Sequence, residues 1–225
     1  MTLTSPTGAR PRRGRPRHQD SPRARSRARR DAPATEQGAS RVAGVATQLT
    51  TVVEVDLTDV PADRVLAVVA AGAVHTIGDH PTVLGRVDPE TGVLSRPSAV
   101  HLAVLAEDGT PDVVVEDADD LTAAALARRL AEGHGSAQQG TLGVVDTGSL
   151  GALVDTPLVG RDRSTVLGIG APVRRPVVVA LDGGEVIAVR AMAHLSLSYD
   201  PRVLGTADAA RFMSSVRHAV EGDLA

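Results

Sequence analysis

The chain contains no cysteine, no tryptophan and no lysine, and only one tyrosine and one phenylalanine, Tyr199 and Phe212, in 225 residues. Without cysteine there is no thiol nucleophile, no disulfide and no thiolate metal site. Without lysine there is no attachment point for a lipoyl group, no Schiff base and no amine nucleophile. No apolar run approaches the roughly 20 residues that span a bilayer, and no apolar signal-peptide core follows the start. A cytoplasmic protein with no membrane contact is therefore expected. All 24 basic residues are arginine, a usage that fits a GC-rich coding sequence and lowers the weight of arginine-rich patterns.

Charge divides the chain in two. Residues 1–40 hold ten arginines against Asp20, Asp31 and Glu36, a net of +7, and the other 185 residues hold 14 arginines against 24 acids, a net of −10. The first region has five prolines and almost no large apolar side chain. Such a segment cannot offset the entropy of ordering, so residues 1–40 are expected to be a disordered tail and residues 41–225 the folded domain. Within the tail, Arg13-Gly14-Arg15-Pro16-Arg17 looks like the core of an AT-hook, whose arginines enter the narrow A·T minor groove. In so arginine-rich a segment five residues are a weak signal, and weak nonspecific contact with nucleic acid is the stronger expectation.

Across the domain, alternation and β-branching predict a strand at Gln48–Leu57, and a helix follows at Ala62–Ala73. Asp88-Pro89-Glu90-Thr91-Gly92 predicts a hairpin joining Thr82–Val87 to Val93–Arg96. Strands are expected at Ala99–Ala106 and Asp112–Val115, with Asp119-Asp120 as N-cap and first-turn acids of a helix Leu121–Glu132. Strands at Leu142–Val145, Thr165–Ile169 and Pro176–Leu181 come next. A turn at Asp182-Gly183-Gly184 leads into a strand Glu185–Tyr199, and a helix Ala207–Glu221 closes the chain. Antiparallel runs with segregated helices argue for an α+β fold rather than a doubly wound parallel sheet.

The stretch Leu195–Phe212, Leu-Ser-Leu-Ser-Tyr-Asp-Pro-Arg-Val-Leu-Gly-Thr-Ala-Asp-Ala-Ala-Arg-Phe, resembles the terminal motif of the catalytic domain of dihydrolipoamide acyltransferases, the E2 component of 2-oxo acid dehydrogenase complexes. Asp146-Thr147-Gly148-Ser149-Leu150-Gly151-Ala152-Leu153-Val154-Asp155-Thr156-Pro157 and Gly168-Ile169-Gly170-Ala171 through Arg175-Pro176-Val177-Val178 are similar to two further family segments. The resemblance implies a chloramphenicol acetyltransferase-like mixed sheet with helices packed on it, a homotrimer, and a site between subunits where coenzyme A meets an acyl-lipoyl arm. It also implies E2-type or other dehydrogenase-complex subunits as partners. About twenty residues that the family uses after its first strand are missing between Val60 and Val65.

In the family a histidine acts as general base on the thiol, an aspartate four residues later supports the site, and a Ser or Thr hydroxyl stabilises the oxyanion. Those positions fall here on Pro201, Gly205 and Val145. A positioned base contributes about 10² to 10⁴ in rate and one oxyanion donor about 10² to 10³. The sequence therefore points to a catalytically degenerate relative acting as a binding or assembly protein for E2-type trimers or acyl thioesters. A working acyltransferase with a rebuilt site is the alternative, and a DNA-associated protein using its tail is a second.

For a rebuilt site, His194 is the replacement base to weigh, since alternation puts it on one face with Ser196 and Ser198. It lies seven residues, more than about 20 Å of extended strand, from Pro201. His75 and His80 lack a third metal ligand, and His101, His134 and His218 read as surface or strand-edge residues. Asp117, Asp119 and Asp120 read as a charged loop, and Asp200 and Arg202 as a structural charge pair. Gly168-Ile169-Gly170 leads into a strand rather than a helix, so it is not a phosphate loop.

Overall fold

A computed structural model describes residues 48–88, 90–106, 108–133, 140–160, 163–181 and 183–222. The expectations for residues 1–40, including Arg13 to Arg17, and for His134 lie outside these residues. The described residues form nine strands and three α-helices. In chain order they are β1 Leu49–Asp56, α1 Val65–Thr76, β2 Arg86–Val87, β3 Leu94–Ser95, β4 Leu102–Leu105, β5 Pro111–Val115, α2 Ala123–Glu132, β6 Leu142–Asp146, β7 Thr165–Ile169, β8 Val173–Leu181, β9 Gly184–Tyr199 and α3 Thr206–Glu221.

Seven strands make one mixed sheet in the order β1-β9-β7-β6-β4-β5, with β8 also on β9. Only β4–β6 and β6–β7 run parallel. This is the expected α+β arrangement. Alternation along β9 decides which side each residue serves: Ala193, Leu195, Leu197 and Tyr199 are buried in the main core together with Phe212, Met213, Val216 and Val220 of α3. α1 is apolar almost all round, with α2 and α3 packed against it and seven of its residues buried. The opposite face of the sheet carries a smaller cluster of Ala103, Leu105, Val114, Val145 and Val166, with Val159 packed on it.

Tyr199 is 1% exposed. Its hydroxyl lies 3.4 Å from Thr51 Oγ1 on β1 and 3.3 Å from Thr206 Oγ1 at the start of α3, so the chain's one phenol joins three elements.

Two expectations need correction. The segment from Pro81 to Leu84 is a 3-10 turn rather than a strand, with Pro81 in its first turn, and the hairpin that follows is reduced to the two-residue pairing of β2 with β3. Asp119 and Asp120 do not cap α2. They belong to a preceding 3-10 turn, where Asp119 Oδ1 accepts from Val100 N at 3.0 Å. The N-cap is Thr122, whose hydroxyl accepts from Ala125 N at 3.2 Å. A hydroxyl one residue before the helix satisfies an amide that acids two and three residues earlier do not reach.

Candidate functional site

The turn after β9 begins at Asp200, whose backbone N donates to Ser164 O at 3.0 Å. Its carboxylate takes Arg202 through Nε at 3.0 Å and Nη2 at 2.5 Å, and accepts the Arg202 backbone N–H at 2.9 Å. Partial burial pushes the Asp200 carboxyl upward, but the Arg202 side-chain and backbone hydrogen bonds and its charge outweigh that and hold it below the ordinary carboxylate value. The same pair raises Arg202. Both partners move in the sense of a retained ion pair, as the sequence reading expected.

Pro201 is exposed between these two residues. It offers no titratable group and no backbone N–H. Gly205 is the N-cap of α3 in an extended conformation, with no side-chain cap. A Cβ built there would meet only Asp208 Oδ2, at 3.7 Å, so the position has room for a side chain. Val145 lies elsewhere, on β6, buried in the apolar cluster of the second face. Gly205 starts the helix that packs on the first face, so one copy of the chain does not bring these positions into one site. Asp146, beside Val145, is occupied locally: it accepts from Ser149 N at 3.0 Å and from Ser149 Oγ at 2.9 Å.

His194 does share a face with Ser196 and Ser198, but the three do not bond to one another. His194 Nε2 is 3.8 Å from Glu54 Oε1, and that carboxylate also contacts Arg175. His194 borders a small cavity of about 90 Å³ lined by Leu153, Ala171, Val173, Arg175 and Met192. Ser198 Oγ pairs with Thr50 Oγ1 at 3.0 Å. Ser196 Oγ is buried with no hydrogen-bond partner, His194 included.

The remaining described histidines each have a hydrogen-bond or ring partner of their own. His75 Nε2 lies 3.3 Å from Leu121 O, and His80 Nε2 is 2.9 Å from Ser215 Oγ with its ring edge-on to Phe212. His101 Nδ1 accepts from Asp117 N at 3.2 Å, and His218 Nδ1 is 2.7 Å from Ser214 O. Among the described residues no group of three His, Cys, Asp or Glu side chains could hold a metal ion.

Packing explains Gly168-Ile169-Gly170. A Cβ at Gly168 would come within 2.5 Å of Ser196 Oγ, and one at Gly170 within 2.1 Å of the Leu153 carbonyl oxygen.

Sequence reasoning missed the ionic row formed by Glu54 and Asp56 of β1 with Arg175 of β8 and Arg190 of β9. The antiparallel register of β8 on β9, from Leu181 opposite Gly184 onward, sets Arg175 opposite Arg190. Beyond that row β8 and β9 continue as a two-stranded ribbon whose outer positions are apolar and open, with Val178 65% and Ile187 77% exposed. No described helix is long and apolar enough to cross a membrane.

Residues 58–224 match the family described as 2-oxoacid dehydrogenases acyltransferase (catalytic domain). The dihydrolipoyllysine-residue acetyltransferase component of the pyruvate dehydrogenase complex of Mycobacterium tuberculosis is 36% identical over 165 residues, covering 68% of this chain and 30% of that protein. The lipoamide acyltransferase component of the branched-chain alpha-keto acid dehydrogenase complex of Pseudomonas aeruginosa is 31% identical over 195 residues, covering 75% of this chain and 45% of that protein. The chain thus spans less than half the length of either relative. The cubic core of the pyruvate dehydrogenase multienzyme complex shares the fold, with a TM-score of 0.68 at 24% identity over 79% of this chain and 82% of that one.

Proposed function

Because the chain belongs to the 2-oxoacid dehydrogenase acyltransferase catalytic-domain family, we propose that it is a member that has given up acyl transfer and serves as a binding and assembly protein for E2-type trimers. One observation carries this reading: the positions of the family's base, supporting acid and oxyanion donor hold Pro201, Gly205 and Val145, while the fold around them is intact. None of the three can move a proton or donate a side-chain hydrogen bond. Their separation within one chain also fits a site that would need a second copy to close, so the assembly role and the vestigial site point to the same quaternary arrangement.

The ribbon supports assembly. An isolated two-stranded hairpin is marginally stable in water, and Val178, Ile187 and Val189 leave an apolar strip open on this one. Leu150, Leu153 and Leu158 in the segment that follows β6 are exposed as well. Two different surfaces that fit each other make a head-to-tail contact, which closes into a ring when the rotation permits.

The purified chain is expected to show no acetyl transfer from acetyl-CoA to dihydrolipoamide above the uncatalysed rate, and to sediment as a trimer at micromolar concentration. Pro201→His alone should not restore transfer, since the supporting acid and oxyanion donor would still be missing. Calorimetric titration with coenzyme A tests separately for a thioester-carrier site kept without turnover. A robust wild-type rate abolished by His194→Ala would replace this reading with a rebuilt acyltransferase site. The His194–Glu54 pair beside the small cavity is the observation on that side, and the sharing of Glu54 with Arg175 weighs against it.

A further inference from the structure

The base of the ribbon carries a conflict of charge that the sheet resolves. Arg175 and Arg190 are direct cross-strand partners on β8 and β9, and like charges placed opposite each other drive strands apart. On the same face β1 supplies two acids at alternate positions. Glu54 contacts Arg175, and Asp56 Oδ2 lies 3.7 Å from Arg190 Nε. These contacts occur where β1 ends and the ribbon loses its third strand, because the last β1–β9 pair is Asp56 with Met192.

Asp56 holds that junction in a second way. Its Oδ1 accepts from Thr58 N at 2.9 Å, and Thr58 Oγ1 accepts from Ala191 N at 2.9 Å. Behind it, Glu221 at the end of α3 accepts from Asp56 N at 3.0 Å. Asp59 and Glu221 line the same recess as Arg190, so Arg190 faces acids from β1, the loop after it and α3.

We propose that Glu54 and Asp56 form a charge latch that holds the β8–β9 ribbon in line with the sheet by neutralising the opposed pair Arg175 and Arg190. Among the described residues β8 pairs with no strand except β9, so beyond Ala191, whose backbone still bonds to Leu57 and Thr58, the ribbon's direction depends on its own ladder and on this latch. As a role in assembly it rests on the reading above: an aligned ribbon presents its apolar strip in one orientation, and a splayed one does not.

The test is amide hydrogen exchange between Val177 and Val189 in the full chain. Glu54→Gln with Asp56→Asn leaves the repulsion between the two arginines unneutralised while keeping an acceptor for Thr58. It is expected to speed exchange in the ribbon about three- to tenfold, with either single substitution intermediate and β6 and β7 unchanged. Adding Arg175→Gln and Arg190→Gln to that variant removes the repulsion and should return exchange to within about twofold of wild type. Unchanged exchange in the acid variants overturns the latch. So does acceleration that the arginine substitutions fail to reverse, since that would mark a packing role. Sedimentation of the same proteins reads the link to assembly. A wild type that is monomeric throughout would end the assembly reading while the exchange comparison still decides the latch.

Discussion

Asp200 and Arg202 form an ion pair on either side of Pro201, a residue with no titratable group. Asp200 has a folded-state pKa below its ordinary value, so its contribution to stability is fully present above about pH 4 and is lost as pH falls through the depressed folded value. Asp200→Asn is expected to cost about 1–2 kcal/mol at pH 7, given a pair that is partly solvent-exposed. Urea unfolding should show the gap from wild type shrinking below about pH 4. A gap that holds constant to pH 2.5 would mean the pair does not set the acid limb. Gly168 and Ser196 make a second residue-scale case, because Gly168 pairs with Ser196 across the ladder and has no room for a Cβ. Gly168→Ala alone should cost about 1–3 kcal/mol. Ser196→Ala removes a buried hydroxyl with no partner and should be neutral or stabilising by up to about 1 kcal/mol. The double substitution should cost less than the sum, and strict additivity would show that the hydroxyl is not the obstacle.

At the scale of elements, Thr122→Ala should cost about 1 kcal/mol, with faster amide exchange concentrated in α2, because its hydroxyl caps that helix. Element identity was legible wherever the hydrophobic period was long. β7 matches its expected bounds at Thr165–Ile169, and β9 and α3 each begin within one residue of expectation. Errors fell where several local signals competed. Asp119 and Asp120 fit the acid preference of a first turn, yet Asp119 was needed by Val100 N across the chain, a contact with no trace in local spacing. At Pro81–Leu84, proline's fixed φ started a 3-10 turn where Thr82 and Val83 suggested a strand. The candidate site divides in the same way. Pro201, Gly205 and Val145 were picked out by motif spacing alone, whereas the partners of His194 depend on β1 lying antiparallel to β9, Glu54 opposite His194, a pairing across 140 residues that no local pattern announces.

For the whole molecule, the open ribbon and the opposed net charges of residues 1–40 and 41–225 make separate predictions. Val178 and Ile187 face each other across the ribbon. Val178→Glu with Ile187→Glu should leave the fold intact and raise the concentration needed for assembly about a hundredfold or more, if the strip is the contact. Undiminished self-association in sedimentation would move the interface elsewhere. The +7 segment of residues 1–40 should give weak binding to duplex DNA that falls steeply between about 50 and 200 mM salt and disappears when the segment is removed. A marked preference for A·T-rich duplexes that is lost in Arg15→Ala would instead establish groove readout by Arg13 to Arg17. Tyr199 gives the molecule an optical property of its own. With no tryptophan, emission excited in the tyrosine band arises from one buried phenol set between β1, β9 and α3. Emission should therefore track the opening of that junction as a single signal and stay silent when the ribbon alone loosens. A variant whose ribbon amides exchange quickly while its tyrosine spectrum remains native would be visibly loosened at one end of β9 and closed at the other.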